Sequence, residues 1–314
     1  METDRDRLDQ IIAGIIILAI ALVGGAVNIS ALMVIYRSPM FHNSFGILCA
    51  SHIISDIGFL LPHIFWAAPS EIFAWPPSLT ISVYGDLIGQ LLVFFCSVST
   101  YSQLEIALNR FVAVVAPMSY STLFSTRRTV SFLALFWVIG LFRCTVYFIG
   151  GCEITHDSFS FTWKAGGSDC IEFIELYLEF IIATIICITV IILNTITFIV
   201  LYKHTRKLSS VSDVFQKMET NMHRRNLNFF LQSCTQAVLF VIALSIYFFF
   251  SKLTTTKWQF FATRTLTWEM AHCMNGLIIF IFNDNFRCNS GYPALLCGRK
   301  AIDQLPTFGT KSST

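Results

Sequence analysis

Seven apolar segments, each long enough to cross a bilayer, leave this chain almost nothing else to fold with. They run over residues 11–36, 45–66, 81–115, 129–149, 173–202, 227–250 and 260–282. A hydrocarbon core about 30 Å thick takes about 20 helical residues. Inside lipid every backbone N–H and C=O must find a partner within the protein, so the segments read as helices. The expected fold is an all-α membrane protein: a seven-transmembrane helical bundle over 11–287, a short extracellular N-terminus (1–10) and a flexible, polar cytoplasmic tail (288–314). Only 13% of the 314 residues are charged, against about 25% in soluble domains. That excludes a soluble enzyme and a nucleic-acid partner. The first segment is too long for a secretory signal peptide, and Glu2, Asp4, Asp6 and Asp9 precede it where a basic stretch would stand.

Lysines and arginines orient the bundle, because cytoplasmic loops collect them. With the N-terminus outside and the C-terminus inside, fourteen lie on the inner side and five on the outer, while Arg143 and Arg264 fall within spans. This places Arg110 at the inner end of span three, where its long side chain can reach the interface. The basic residues of the inner segments include Arg127, Arg128, Lys203, Arg206, Lys207, Arg224 and Arg225. Anionic lipid of the inner leaflet explains part of that charge, and contact with a cytoplasmic partner explains it equally well.

Polar residues inside spans are costly and mark function or helix contacts. Counted from the inner ends of spans one, two and seven, Asn28, Asp56 and Asn275 lie at similar depth, about 12–17 Å in at about 1.5 Å per residue. They are expected either to share one hydrogen-bonded cluster or to join neighbouring helices separately. Glu172, Glu175 and Glu179 follow helical spacing at the start of span five, and Asp86 lies near the outer end of span three. Together they would make an acidic ligand mouth favouring cationic or hydrogen-bond-donating ligands; solvation of helix ends is the plainer reading. Arg143, Arg264, Glu269 and His272 are further intramembrane candidates whose partners the sequence does not specify. His52 and His63 read as satisfied core histidines.

Six of the ten cysteines lie in spans and read as small apolar residues. Cys152 and Cys170 share the second outer loop, an oxidising setting in which they can pair, with two free thiols as the alternative. Cys288 and Cys297 are juxtamembrane candidates for palmitoylation or plain thiols. No zinc spacing, Gly-x-Ser-x-Gly or His-Glu-x-x-His pattern occurs, so no metal, cofactor or catalytic residue is expected. A multipass transporter or channel is the alternative, though inverted repeats and matching broken spans are missing.

Seven spans, Asn109-Arg110-Phe111 closing the third and a basic third inner loop resemble a G-protein-coupled receptor. Asn109-Arg110-Phe111 stands where rhodopsin-like receptors carry Asp/Glu-Arg-Tyr. More narrowly, residues 11–287 are similar to the nematode serpentine chemoreceptors of class X (Srx). The similarity is carried by Asn43-Ser44-Phe45-Gly46, Leu61-Pro62-His63-Ile64-Phe65-Trp66, Leu108-Asn109-Arg110-Phe111 with Pro117, Gly151-Cys152, Trp163, Arg224-Arg225-Asn226-Leu227, Trp268-Glu269-Met270-Ala271-His272 and Phe282-Asn283-Asp284-Asn285. It implies a chemosensory receptor of the plasma membrane, extending to the sensory cilia of a neuron, that binds a small molecule or peptide and activates a heterotrimeric G protein. The chain departs from the rhodopsin pattern in three places. No cysteine begins span three, span six has no proline, and span seven lacks Asn-Pro-x-x-Tyr. Asn109 also replaces the acid that would neutralise Arg110, so packing and the polar layer around Asp56 are expected to hold the resting state.

Overall fold

The computed structural model describes residues 2–148, 152–165, 174–208 and 213–282. Seven long helices form the bundle. They are α1 (Glu2–Arg37), α2 (Ser44–Ile72), α3 (Val83–Val115), α4 (Thr126–Cys144), α5 (a π-helical segment Ile174–Ile181 leading into Ile182–Leu208), α6 (Asp213–Phe248) and α7. The last runs as Lys257–Phe261, a π-helical turn Ala262–Leu266 and Thr267–Ile281. Among the described residues, six helices are long and apolar enough to cross a membrane by length and composition. α7 holds Arg264, Glu269, His272 and Asn275, and this polarity marks it off from the other six.

Helix ends explain where the elements start and stop. Asn43 caps α2 by accepting from the backbone N–H groups of Phe45 and Gly46. Pro62 and Pro69 bracket the π-helical turn His63–Ala67 inside α2, since neither ring can donate to the helix ladder. The last carbonyls of α2 are satisfied from another helix: Arg7 donates to Glu71 O at 2.8 Å and to Ile72 O at 2.5 Å. Arg7 belongs to the part expected as a short terminus, residues 1–10, and here it lies in a helix. From Glu2 onward the described residues of this part belong to α1, tied also by Lys257 to Asp6 and Asp9. Residues 203–208 and 213–225 are helical, continuing α5 and α6 through most of the segment expected as a loop.

α3 is the central helix, packed along α2 and α5 and touching α4, while α1 lies against α2 and α7. Small residues permit the closest approaches. A Cβ on Gly276 of α7 would come within 2.6 Å of Asn28 Oδ1 on α1. α4 faces outward along Phe132, Leu135, Val138 and Phe142, all exposed, as suits a lipid-facing helix. One element was not foreseen: a hairpin of β1 (Ile154–Asp157) and β2 (Thr162–Ala165), antiparallel with Ile154 opposite Ala165. It lies at the end of the bundle where α3 begins, called here the hairpin end.

Candidate functional site

Asp56 on α2 organises the middle of the bundle. Its Oδ1 accepts from Ser99 Oγ on α3 at 2.9 Å and lies 2.6 Å from His272 Nδ1 on α7. Its Oδ2 lies 3.6 Å from His52 Nε2, one helical turn away. The side-chain amides of Gln103 and Asn275 converge on that same nitrogen of His52, at 3.3 and 3.2 Å. Asn28 meets the group through the backbone, donating to His272 O at 3.1 Å. The structure thus brings Asp56 and Asn275 together through His52, and attaches Asn28 by way of α7. Ser99, Gln103, His52 and His272 complete the arrangement. His52 had been read as a satisfied core histidine; its one-turn spacing from Asp56 was the available signal. Ser99 and Gln103 gave none, because nothing in the sequence says which face of α3 meets α2.

At the opposite end from the hairpin, Arg110 is buried among aromatic rings. Its guanidinium carbon stands 3.9 Å from the ring centroid of Phe45 and 5.2 Å from that of Phe229. These two rings are 4.4 Å apart, and Phe41 packs on Phe229 at 5.5 Å. Nη2 of Arg110 donates to Asn109 Oδ1 at 2.6 Å, and Asn109 Nδ2 donates to Tyr120 Oη at 3.3 Å. Phe111 is the outer member of the motif and is half-buried. Arg127 and Arg128 are exposed at the start of α4, where Arg128 donates to Thr122 O at 2.6 Å. Lys203 is exposed on α5. The side chains of Arg206, Lys207, Arg224 and Arg225 lie outside the described residues.

A cavity of about 120 Å³ opens beneath the hairpin, lined in part by Phe59, His63, Arg143, Trp163, Glu179 and Trp268. Ile154 and Trp163 of the hairpin form part of its wall. Three contacts fasten the hairpin there: Ile154 N donates to Asp86 Oδ1 at 3.1 Å, His156 Nδ1 lies 3.2 Å from Glu71 Oε1, and Thr265 Oγ1 donates to Phe161 O at 2.8 Å. Gly89 of α3 lies directly under Ile154 O, where any Cβ would collide. Burial pushes the His156 imidazole down to about 4. Cys152 is disulfide-bonded, while Cys170 lies outside the described residues.

Glu179 Oε1 pairs with Arg143 Nη2 at 2.5 Å and accepts from Tyr147 Oη at 3.2 Å, while Arg143 Nη1 donates to Ser97 Oγ at 3.0 Å. Asp86 accepts from Gln90 as well as from the hairpin. Asp86 and Glu179 therefore face different internal partners, and of these two described residues Glu179 lines the cavity. Glu172 and the side chain of Glu175 lie outside the described residues. Glu269 is buried with Oε1 3.9 Å from His63 Nε2. Arg264 stacks over Tyr247 and Phe260 at 4.8 and 4.7 Å. Below the cavity a void of about 10 Å³, lined by Thr100, Phe240 and Trp268 among others, leads toward His272 and Asn275. Among the described residues no group of histidine, cysteine and carboxylate side chains is arranged to hold a metal ion.

The geometry has relatives. Squid rhodopsin superposes on 90% of this chain and 84% of its own with a TM-score of 0.67 at 13% identity, a likeness of fold. Serpentine receptor class X 45 of Caenorhabditis elegans is 28% identical over 96% of this chain and 87% of its own length. Serpentine receptor class X-43 of the same organism is 24% identical over 89% and 86%. A family model described as serpentine type 7TM GPCR chemoreceptor Srx matches residues 18–283. A helical bundle of rhodopsin fold, matched by that family along nearly its whole length, belongs to the Srx family of serpentine seven-transmembrane chemoreceptors.

Proposed function

We propose that a small molecule or peptide binds in the cavity beneath the hairpin, and that the Arg110 end of the bundle activates a heterotrimeric G protein. One observation carries this reading. Phe59, in the cavity wall, stacks on His272 at 3.9 Å, and His272 in turn contacts Asp56. A run of side chains therefore leads from the cavity through His272, Asp56, His52 and Asn275, with Asn28 joined at the His272 carbonyl. Beyond it, Cys49, Ile53, Ile106, Phe45 and Phe229 belong to one apolar cluster, whose Phe45 and Phe229 rings face Arg110. A ligand that favours one arrangement of this interior shifts the population toward it. In this reading the hairpin faces outside and the Arg110 end faces the cytoplasm of a cell whose plasma membrane holds the protein. Asn109, Arg110 and Phe111 form the signalling motif, and Arg127, Arg128, Lys203, Arg206, Lys207, Arg224 and Arg225 supply contacts to the G protein and to anionic lipid.

Arg110→Ala tests it. In cells carrying a promiscuous G protein and challenged with an odorant and peptide panel, the wild type is expected to respond. The variant is expected to reach the surface and stay silent. Responses of wild-type size from Arg110→Ala overturn the coupling role.

A further inference from the structure

Trp163 stands opposite His156 in the hairpin and lines the cavity beneath it. The residue is 9% exposed, and its indole nitrogen Nε1 is buried with no hydrogen-bond partner. An indole nitrogen only donates, and a buried tryptophan N–H usually finds an acceptor. Leaving it unmet is costly. The imidazoles of His156 and His63 pack edge-on against the indole, with ring centroids 5.3 and 6.3 Å away. Neither accepts its proton.

Other donors of the wall are spent inside the protein. Thr100 donates to Cys96 O at 2.9 Å, Thr265 to Phe161 O at 2.8 Å and Tyr147 to Glu179 at 3.2 Å. His63 Nδ1 lies 3.1 Å from Phe59 O, and since a carbonyl only accepts, that nitrogen carries the proton. The charged groups are engaged as well. Arg143 meets Glu179 and Ser97, and Arg264 lies over the rings of Tyr247 and Phe260. A charged ligand would break into contacts that are costly to lose once buried, whereas a neutral one leaves them whole. What a ligand can add is an acceptor for Trp163. Phe59, Phe240 and Trp268 offer aromatic surface for its body, and the cavity of about 120 Å³ admits a small one.

We propose that the cavity takes a small neutral molecule with an aromatic or apolar body and a hydrogen-bond acceptor, a carbonyl oxygen or a pyridine-type nitrogen, that receives the Trp163 indole N–H. The bond ties the ligand to strand β2 of the hairpin, while its body rests against Phe59, which stacks on His272. This rests on the cavity being the ligand site of the receptor.

The test uses the full-length receptor in lipid nanodiscs, with binding read as the concentration at which a probe raises the unfolding temperature. Acetophenone and ethylbenzene share a shape, but only the ketone accepts a hydrogen bond. Benzoate and benzylamine are the charged counterparts. Acetophenone is expected to bind about tenfold more tightly than ethylbenzene or either ion, the weight of one hydrogen bond to a buried donor. Trp163→Phe should reduce that preference to about twofold or less, and so should benzothienylalanine in place of Trp163, which keeps the bicyclic shape without the N–H. A preference that survives both substitutions overturns the proposal. So does a wild-type receptor that binds acetophenone no better than ethylbenzene or an ion. Ala183→Phe fills the cavity from α5 and should abolish binding of acetophenone and ethylbenzene alike. Binding that survives Ala183→Phe removes the cavity as the ligand site, and this proposal with it. Binding that is lost there but indifferent to Trp163 removes this proposal alone.

Discussion

Arg143 and Arg110 sit near opposite ends of the bundle, and the protein buries them by different chemistry. Near the hairpin, Arg143 faces a carboxylate at 2.5 Å and a serine hydroxyl. At the other end, Arg110 lies against the rings of Phe45 and Phe229 with the Asn109 amide beside it. An ion pair is strong in low dielectric and fixed in geometry. A cation over aromatic faces is held by the rings; it opens when they move apart. Phe45 comes from α2 and Phe229 from α6, so separating those helices undoes the Arg110 contact. The pair at the hairpin end thus suits a fixed cavity wall, and the aromatic contact suits a mechanical input.

The comparison can be broken most forcefully at Arg143. Arg143→Leu leaves Glu179 facing the cavity without its partner, at an expected cost of about 2–3 kcal/mol, since removing one member of a buried pair costs about 3–5 and Glu179 keeps some solvent contact. Thermal unfolding of the purified receptor measures it, and a loss below about 1 kcal/mol would mean that the pair is incidental. Phe229→Leu comes next. Losing a desolvated cation–aromatic contact is expected to cost about 1–2 kcal/mol and to raise ligand-free signalling, with Phe229→Trp retaining wild-type behaviour. Unchanged basal signalling in Phe229→Leu would show that the rings do not hold the resting state.

Acid should separate the two ends. His156, buried against Glu71 and near Asp157, has its imidazole lowered to about 4, from about 6.5 when unfolded. Between those values the unfolded chain binds more protons, so stability is lost as pH falls from about 6.5 to about 4. Hydrogen exchange in the hairpin should quicken over that window while amides around Arg110 stay protected; equal acceleration at both ends would contradict it. The smallest effect is expected at Lys257. Asp6 and Asp9 raise its ammonium above the ordinary lysine range, so the stability it adds is present below about 10.4 and is lost as pH climbs through the raised value. With Asp6 largely exposed, Lys257→Ala should cost at most about 1 kcal/mol.

Much of the central site was legible residue by residue. Asn28, Asp56 and Asn275 stand out because a polar side chain in lipid is conspicuous in any apolar run. Their bridges were not legible. Ser99 and Gln103 look like ordinary helix residues until α3 is turned toward α2. Phe45 and Phe229, two of 31 phenylalanines, carry no mark that singles them out as the faces beneath Arg110. The acidic residues near the hairpin show the same limit in reverse. Their shared charge left an acidic mouth and plain solvation of helix ends both open, and nothing in it marked Asp86 to fasten a strand or Glu179 to pair with an arginine.

The sequence by itself determined the helical fold class, the number of long helices and the family. These follow from runs of apolar residues and short motifs, which are local and survive without a partner. Only the tertiary structure decided which carboxylate meets which histidine or arginine, that residues 154–165 form a hairpin over the cavity, and that aromatic rings enclose Arg110. Those outcomes depend on how each helix is rotated about its axis. One residue changes that direction by about 100°, and the rotation is set by close packing against neighbours such as Gly276 on Asn28, which no single segment encodes.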